Sequence, residues 1–512
     1  MKHLRTSPLR RRRPLATLAA VALLAAGLST TGIGTAEAAP VAAKVTAAPD
    51  HDVVVNLWEW NWHSVAQECT NVLGPKGYGA VQVAPPQDSV KRQQLGDGSD
   101  TVLHPWWEVY QAVSYSLTSR MGGEAQFASM VRQCRKAGVK VYVDAVINHM
   151  TGQGDTSYGG VKYERYRYEG LYTPVNFHKY SGDCPSKSGG IEDFNNLRQV
   201  FNCELVGLAD LRTDTNAVAG RVADYLNKLI GYGVSGFRVD AAKHIGQTDL
   251  DAIYKRLHRT KEGTRPYWAL EVFGGGPGSL APQAFTSSGS VLGLDGVKQL
   301  KSAFKSYPTD ATGSISTLRD FGEQSGLTTS SKTLSFVQNH DTERNGDALS
   351  YKDGDTNRLA TQFVLATAYG RPQVYSAFEF TNRDDSPPSD ANGKITDSSC
   401  TSGWACTHRD TGVEALVRWH NSVGTAAQRN WRDDGGNVIG FSRGHRGWVA
   451  MNNNTEPRTV RWQTGLPTGT YCDVVTGGTT CAGTRVAVDG SGAATVTVPA
   501  KGTIAILRGS RR

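Results

Sequence analysis

Gly236-Phe-Arg-Val239 is a short β-rich run, and further runs of this kind recur between residues 53 and 376. Stretches with a helical pattern separate several of them, as in Phe127–Lys136 and Val218–Ile230. Strands that alternate with helices over this length predict βα units in an α/β fold, and the closed form of such units is a (β/α)8 TIM barrel. The further runs are Val53–Leu57, Ala80–Val83, Val139–Val143, Tyr267–Leu270, Leu334–Val337 and Gln373–Tyr375.

The sequence shows seven clear strand runs, and a barrel of eight strands needs one more. Ser290–Leu294 is the best candidate for this missing strand. An open, doubly wound sheet is the alternative architecture. No Gly-x-Gly-x-x-Gly motif follows the first strand, which disfavours that alternative. We therefore expect the closed barrel.

Two segments depart from the alternating pattern and predict further domains. Residues 149–215 are rich in Gly, Tyr and Asn without a clear helix, which favours a small domain inserted after the third strand. From residue 424 onward, short alternating runs are separated by Gly- and Asn-rich turns, which predicts an antiparallel β-sandwich over 424–512. The barrel then comprises 39–148 and 216–423.

The first 38 residues have the three parts of a secretory signal. Lys2, Arg5 and the run Arg10–Arg13 precede the apolar stretch Leu15–Leu28, and the small-residue site Ala36-Glu37-Ala38 follows. A buried N-terminal helix is the alternative, but four arginines directly before the apolar stretch disfavour it. No later stretch is long and apolar enough to predict a membrane helix, so we expect a secreted, soluble protein.

The formal charge of the whole chain is +8, but the signal holds six basic residues and one acidic residue, which leaves +3 for the mature protein. So small a charge argues against a nucleic acid partner and favours a monomer. The eight cysteines are an even count in an exported chain, which predicts four disulfides. Zinc binding is the alternative, but no pair has the Cys-x-x-Cys spacing of a structural zinc site.

Polar side chains follow four of the predicted strands. Because the C-terminal ends of barrel strands face the active site, we expect Asp240, Glu271 and Asp341 to converge. Glycoside hydrolysis needs one protonated and one ionised carboxyl group, and a third carboxylate raises the pKa of the acid. One such residue alone would more often be a helix cap or a solvated charge, but three at equivalent positions favour catalysis. The four stretches are Val143–His149, Gly236–Asp240, Ala269–Glu271 and Phe336–Asp341.

Trp106, Trp107 and Tyr110 cluster after the second predicted strand. Adjacent tryptophans are more often part of a hydrophobic core, but His104, Glu108 and Gln111 around them favour a platform for glucose rings. The cluster is therefore interpreted as part of a sugar-binding site.

Several of these stretches resemble the sequence regions that define the alpha-amylases, in the order and roughly the spacing of that family. They are Asp144–His149, Gly236–His244, Glu271 and Phe336–Asp341. The resemblance covers about residues 50–512 and is strongest to the animal-type and streptomycete enzymes. It implies endohydrolysis of α-1,4 bonds in starch, glycogen and malto-oligosaccharides. An exo-acting or transglycosylating relative and a non-catalytic carbohydrate-binding protein are the alternatives, and the presence of all three acids disfavours the last.

Carried over by position, the resemblance makes Asp240 the nucleophile of a retaining mechanism, Glu271 the general acid and base, and Asp341 the third acid. It implies a Ca²⁺ site formed by Asn148, Asp210 and the backbone carbonyls of Phe201 and His244, and oxygen ligands of this kind suit Ca²⁺ better than zinc. The substrate-binding residues would be Trp106, Trp107, Tyr110, Gln111, His149, Arg238, Lys243, His244 and His340.

The resemblance also implies the disulfide pairing and raises a question about chloride. Animal-type members bind an activating chloride through two arginines and an asparagine. Arg238 and Asn339 match two of these positions, but Gln373 stands at the third, so a chloride site is doubtful. Arg371 lies close in sequence and has the same strand parity as Gln373. The implied pairs are Cys69 with Cys134, Cys184 with Cys203, Cys400 with Cys406, and Cys472 with Cys481.

Overall fold

Eight parallel strands close into a barrel, as the alternating pattern predicted. The strands are β1 (Val54–Leu57), β2 (Ala80–Val83), β3 (Lys140–Ala145), β4 (Gly236–Val239), β5 (Tyr267–Leu270), β6 (Ser290–Leu292), β7 (Thr333–Ser335) and β8 (Arg371–Phe378). Each strand pairs with the next, and β8 returns to β1 with Val54 opposite Gln373 and Leu57 opposite Ser376. The sixth strand, Ser290–Leu292, lies within Ser290–Leu294, the candidate for the strand that had no clear run in the sequence.

The computed structural model describes residues 51–95, 102–306, 311–478 and 480–512. The predicted signal, residues 1–38, lies outside these ranges. Within them, every helix is too short or too polar to cross a membrane.

Helices follow most of the strands and cover the outside of the barrel. The helix predicted at Val218–Ile230 spans Asn216–Tyr232; the Thr215 side chain accepts from the Val218 N–H at its start, and Gly233 ends it with a φ of +115°. The remaining α-helices are Trp62–Glu68, Gly74–Lys76, Glu124–Lys136, His178–Ser181, Leu197–Asn202, Ala242–Ile245, Gln247–Lys255, Pro282–Phe285, Leu294–Phe304, Thr342–Asn345, Asp355–Ala366 and Thr411–Val423.

Shorter elements complete the connections. Cys69–Leu73 forms one π-helical turn, and Lys305–Ser306 pairs with Ala311–Thr312, while Trp404–Ala405 pairs with the end of β8. The 3₁₀ turns are Trp106–Tyr110, Pro174–Asn176, Leu205–Gly207, Gly278–Leu280, Ile315–Asp320, Glu323–Ser325, Ser330–Lys332, Tyr351–Asp353 and Thr407–Arg409.

The long excursion between β3 and the helix Asn216–Tyr232 returns close to where it starts. The Met150 N–H donates to the Ala209 carbonyl at 2.9 Å, and the Leu211 N–H donates to the Asn148 carbonyl at 3.0 Å. The two ends of the segment are thus paired beside the C-terminal end of β3.

The C-terminal residues form an antiparallel sheet of eight strands. The strands are β9 (Gln428–Asp433), β10 (Val438–Arg443), β11 (Gly447–Asn452), β12 (Arg458–Gln463), β13 (Gly469–Asp473), β14 (Arg485–Val488), β15 (Ala493–Val498) and β16 (Gly502–Arg511). Their order in the sheet is β9-β10-β11-β16-β13-β14-β15-β12. A Cβ on Gly440 of β10 would lie 2.9 Å from the ring of Trp462 on β12, so strands far apart in the sheet order face each other and the sheet folds back on itself.

All eight cysteines form disulfides, which confirms the predicted count and leaves none to bind zinc. The pairs are those that the family resemblance implied: Cys69–Cys134, Cys184–Cys203, Cys400–Cys406 and Cys472–Cys481.

Candidate active site

The predicted acids meet at the C-terminal end of the barrel. Asp240 follows β4 directly and Glu271 follows β5 directly, while Asp341 lies on the connection after β7. All three line one open cleft of about 540 Å³. Because parallel strands in a closed barrel end at the same rim, residues far apart in sequence share this cleft.

Arg238 joins the acidic residues from behind the cleft wall. Its Nη1 donates to Asp240 Oδ1 and to Asp144 Oδ1, both at 2.7 Å, and its Nη2 donates to Glu271 Oε1. The guanidinium is 2% exposed, so its charge is compensated inside the protein and not by water. One cation therefore holds three carboxyl groups in a fixed arrangement.

The backbone after Asp240 completes the support of Glu271. The Ala241 N–H donates to Glu271 Oε2 at 2.8 Å. Ala241 has a φ of +48°, a left-handed conformation that alanine seldom adopts. Strained residues of this kind concentrate at functional sites, where the surrounding structure holds them in place.

Burial raises the pKa values of the carboxyl groups. Burial raises the pKa of Glu271 to about 8; the charge of Arg238 opposes the rise, and those of Asp240 and Asp341 add to it. Burial also raises the pKa of Asp240, to about 7, again against the charge of Arg238. Because burial raises the pKa of both carboxyl groups toward neutrality, the pair retains a proton near pH 7.

Aromatic rings form the wall beside the acids. The His340 ring is stacked on Trp58 with centroids 4.8 Å apart and on Tyr110 with centroids 5.1 Å apart, and Trp106 packs edge-on against it. Burial lowers the pKa of His340 to about 3 and that of His149 to about 4, so both imidazoles are neutral near pH 7. Neutral rings add no positive charge next to the acids.

Both histidines lie beside an acid. His340 Nε2 is 3.3 Å from Asp341 Oδ2, and His149 Nε2 is 4.0 Å from Asp240 Oδ2. His149 Nε2 also contacts the Tyr110 carbonyl oxygen at 3.0 Å, which identifies this nitrogen as the one that carries the proton.

Most of the predicted substrate-binding residues reach the cleft. Lys243 is fixed there by hydrogen bonds from its Nζ to the carbonyls of Phe273 and Gly275, both at 3.0 Å. The predicted residues that line the cleft, besides the acids, are Trp106, Trp107, Tyr110, His149, Lys243, His244 and His340.

Two of the predicted substrate-binding residues, Arg238 and Gln111, do not line the cleft. Arg238 is covered by the carboxylates that it binds, and Gln111 is buried, with its Oε1 accepting from the Gly152 N–H at 2.9 Å. Gln111 thus anchors the start of the 149–215 segment to the barrel. The geometry does not support a direct contact between either side chain and a ligand in the cleft.

Sequence reasoning missed an apolar group in the lining of the cleft. Phe194, Val206 and Phe273 line it and are 50%, 86% and 40% exposed. Val206 has a φ of +44°, a strained conformation for a β-branched residue. Phe273 could have been found as the second residue after Glu271, but no sequence pattern marks Phe194 or Val206.

The predicted calcium ligands come together in two pairs. Asn148 Nδ2 lies 3.3 Å from Asp210 Oδ1, and Asp210 is 2% exposed. His244 Nδ1 contacts the carbonyl of Val200 at 3.0 Å, next to Phe201, whose ring would lie 3.3 Å from a Cβ on Gly246. The carboxylate of Asp210 and the amide of Asn148 are oxygen ligands of the kind that Ca²⁺ prefers, and these two side chains lie next to each other. Sequence reasoning missed His178, whose Nδ1 contacts Asp210 Oδ2 at 2.6 Å.

A second kind of metal site would be built from several histidine, cysteine or acidic side chains. Within the described ranges, no group of three or more such residues is arranged to hold a metal ion. The calcium set above contains a single carboxylate and is not of that kind.

Gln373 and Arg371, the residues at and near the third chloride position, each contact other side chains. Gln373 Nε2 donates to Gln82 Oε1 at 2.8 Å. Arg371 lies at the start of β8, where its Nη1 donates to the Tyr142 hydroxyl at 3.1 Å and its guanidinium stacks 4.5 Å from the centre of the Tyr267 ring. Arg371 is thus directed to the start of the strands, and Arg238 is the arginine beside the acids.

The chain is similar to several known proteins. Residues 106–264 match the family described as alpha amylase, catalytic domain, and residues 429–509 match alpha amylase, C-terminal all-beta domain. An alpha-amylase of Streptomyces violaceus is 40% identical over 492 residues, which cover 95% of this chain and 78% of that protein. An alpha-amylase of Tenebrio molitor is 36% identical over 469 residues, with coverage of 88% and 95%.

A solved structure agrees with these sequence matches. A mutant of alpha-amylase I from Eisenia fetida, in complex with maltohexaose, is 35% identical and superimposes with a TM-score of 0.82. The match covers 90% of this chain and 97% of that chain.

Replacing Arg238 by Gln should leave three buried carboxyl groups without their cation. We expect a loss of about 3 to 5 kcal/mol of stability near neutral pH, as for other broken buried ion pairs. Without the cation, the carboxyl pKa values rise further in the folded protein, so the folded state binds more protons than the unfolded state and stability falls as pH rises.

Melting temperatures measured between about pH 5 and 8 test this expectation, because the deficit of the variant should shrink toward the acidic end. Arg319→Gln removes an exposed arginine paired with Asp433 and is the matched control. A deficit that grew toward acidic pH would contradict the role assigned to Arg238.

Proposed function

The chain belongs to the alpha-amylase family and is a starch-hydrolysing glycosidase, and from this premise we propose that it cuts internal α-1,4-glucosidic bonds with retention of configuration. Its substrates would be starch, glycogen and malto-oligosaccharides. The observation that carries the proposal is the convergence of Asp240, Glu271 and Asp341 in one open cleft, with two of them bound to the same arginine. An open cleft, lined by aromatic and apolar side chains besides the acids, suits a chain that passes through it.

Asp240 is the nucleophile in this proposal. Arg238 donates a hydrogen bond to its Oδ1, and the charge of Arg238 opposes the rise of the Asp240 pKa, which favours the ionised form. Its carboxylate forms a bond to the anomeric carbon while the glycosidic C–O bond breaks and Glu271 gives its proton to the departing oxygen. Glu271 then takes a proton from water, which attacks the same carbon and releases Asp240.

Asp341, His149 and His340 position the sugar at the scissile bond. Asp341 is 31% exposed at the cleft and can accept hydrogen bonds from sugar hydroxyls. Trp106 and Trp107 face the cleft and offer apolar ring surfaces to the glucose rings. An exo-acting or transglycosylating enzyme would share this chemistry, because one covalent intermediate serves water or a sugar acceptor.

Asp240→Asn tests the nucleophile. An amide of nearly the same shape cannot attack the anomeric carbon, so we expect starch hydrolysis to fall by about a thousandfold or more while oligosaccharide binding persists. Asp224→Asn alters an exposed residue on the helix Asn216–Tyr232 and should leave turnover unchanged.

A variant that kept more than about a tenth of wild-type turnover would refute the assignment of Asp240. An NMR time course on the wild type tests the stereochemistry, since retention releases the α anomer first. Early appearance of the β anomer would exclude the covalent route.

We propose that Ca²⁺ binds to Asn148, Asp210 and the carbonyls of Phe201 and His244. The ion would supply a structural link between the 149–215 segment and the catalytic barrel, because Asn148 lies after β3 and His244 lies four residues after Asp240. His178 would orient the Asp210 carboxylate through its Nδ1.

Removal of calcium should lower stability and activity together. An ion that binds only the folded arrangement adds its binding free energy to folding, so we expect EDTA to lower the melting temperature and Ca²⁺ to restore it. Asp210→Asn should lose most of this response, whereas Glu164→Gln, at an exposed ion pair of the same segment, should keep it. An unchanged melting temperature in EDTA, or better recovery with Zn²⁺ than with Ca²⁺, would count against the site.

Chloride should activate this enzyme little or not at all. With an amide at Gln373, an anion beside Arg238 would meet one cation that already binds three carboxylates, so its binding would be weak. Activity across pH in chloride-free buffer, and after addition of chloride at constant ionic strength, measures the effect.

Gln373→Arg should create chloride dependence, and Gln373→Met is the uncharged control of similar length. A several-fold activation of the wild type, or an alkaline shift of its optimum with chloride, would mean that Gln373 does not disable the site.

We also propose that the enzyme acts outside the cell as a monomer. Four disulfides suit an oxidising compartment, and the segment 1–38 has the pattern of a secretory signal.

A further inference from the structure

An open groove of about 480 Å³ lies where the barrel meets the C-terminal sheet. We call it the junction groove. The barrel contributes residues 319–324, 330 and 367–369 to its lining, and strand β9 of the sheet contributes residues 428–431. Ser330 and Tyr369 come shortly before strands β7 and β8, whereas the catalytic groups follow the ends of strands. Among the described residues, the groove and the cleft share no lining residue, so they are separate sites.

Trp431 lines the groove from an irregular part of β9. The partners of Arg429 and Arg432 on β10 are two residues apart, so β9 carries one extra residue here, which makes a β-bulge. Asn430, inside the bulge, has a φ of +55°, a left-handed conformation that asparagine tolerates better than most residues. Bulges redirect side chains and are frequent beside functional sites.

The indole of Trp431 is held in one orientation. Its ring is stacked on Phe441, with centroids 5.5 Å apart and an angle of 7° between the planes. Its Nε1 donates to Asp433 Oδ2 at 2.7 Å, and Arg319 Nη2 donates to the same oxygen at 2.8 Å. The side chain is partly exposed, so it offers a ligand a fixed aromatic surface that loses little freedom on binding. The apolar face of a sugar ring can pack on such a surface.

Polar side chains that are free to bind surround the indole. Within the ranges that the structure describes, the side chains of Asp320, Gln324 and Arg429 form no hydrogen bond or ion pair, and all three residues are exposed in the groove. A carboxylate accepts hydrogen bonds, a guanidinium donates them and an amide does both. This mixture matches sugar hydroxyls, because each hydroxyl both donates and accepts.

The charges in the groove balance one another. Arg319 and Arg429 line it together with Asp320 and Glu323. A lining with two cations and two carboxylates favours neither an anion nor a cation. Together with the fixed aromatic surface, it suits a neutral ligand that is rich in hydroxyl groups.

We propose that the junction groove is a second carbohydrate-binding site, which holds an α-glucan chain of starch away from the catalytic cleft. The groove itself specifies a neutral saccharide, and the choice of an α-glucan rests on the substrate of the family to which the chain belongs. Its volume lies within the range of about 300 to 1,000 Å³ that is usual for small-molecule sites. Because a polymer can occupy the cleft and the groove at once, the second site would raise retention on starch beyond that of a short oligosaccharide.

Adsorption of the purified protein to starch granules in the cold, in calcium buffer, measures binding to the polymer. Gln324→Ala combined with Arg429→Ala removes two exposed side chains that have no contacts to lose, and it should weaken adsorption by about fivefold or more. Trp431→Ala should weaken adsorption at least as much, because the aromatic surface is lost. Hydrolysis of soluble maltoheptaose should stay within about twofold of the wild type in the double variant.

Arg458→Ala combined with Gln463→Ala is the matched control. It removes the same two residue types from exposed positions of β12 that do not line the groove, so it should adsorb like the wild type. Cellulose powder is the control polymer, and the wild type should adsorb to it less than to starch.

Wild-type adsorption by the Gln324 and Arg429 double variant would overturn the proposal, and so would an equal loss in the matched control. A parallel loss of maltoheptaose hydrolysis in the double variant would place its effect in the cleft or in folding and would also overturn it. Equal adsorption to cellulose and starch would contradict an α-glucan as the ligand. If Trp431→Ala fails to fold, the double variant decides. A wild type that adsorbs through the groove without hydrolysing maltoheptaose would refute the proposed function and not the groove.

Discussion

The ion pairs of Arg238 hold the active site together. Three carboxyl groups lie close to one another in a buried region, where their mutual repulsion and the loss of hydration would otherwise drive them to take up protons. Arg238 and Asp240 are two residues apart on one strand, so they point to the same side of it, and Asp144 and Glu271 reach the same guanidinium from the neighbouring strands β3 and β5. Burial raises the pKa of both Asp240 and Glu271, so the pair can keep a proton near neutral pH.

The inserted segment 149–215 contributes both to the proposed calcium site and to the lining of the cleft. Its two ends are paired beside β3, which brings Asp210 to Asn148, and the disulfide Cys184–Cys203 closes its middle part. Through Phe194 and Val206 the same segment supplies part of the cleft lining, as do the tryptophans that follow β2. The proposed calcium ion would therefore support both the shape of the cleft and the stability of the segment.

The two ends of the barrel carry opposite kinds of side chain. Acids gather where the strands end, and lysines and arginines gather where several of them start.

The sequence by itself determined the barrel and the acids. β-Branched runs separated by amphipathic helices predict βα units, and a polar residue after each run predicts a residue at the catalytic rim, as for Asp240 and Glu271. The disulfide pairs and the family followed from resemblance. These features are local or depend on order along the chain, so a linear pattern carries them.

Only the tertiary structure decided which side chains face the cleft and which stand behind it. Strand parity correctly groups Arg371 with Gln373, but two residues shift a side chain by about 6.6 Å along the strand, and Arg371 binds Tyr142 at the other end of the barrel. Gln111, beside the sugar platform in sequence, is turned inward to anchor Gly152. Phe194, Val206 and Phe273 come from distant segments and meet in the lining of the cleft. Long-range packing of this kind leaves no periodic signal in the sequence.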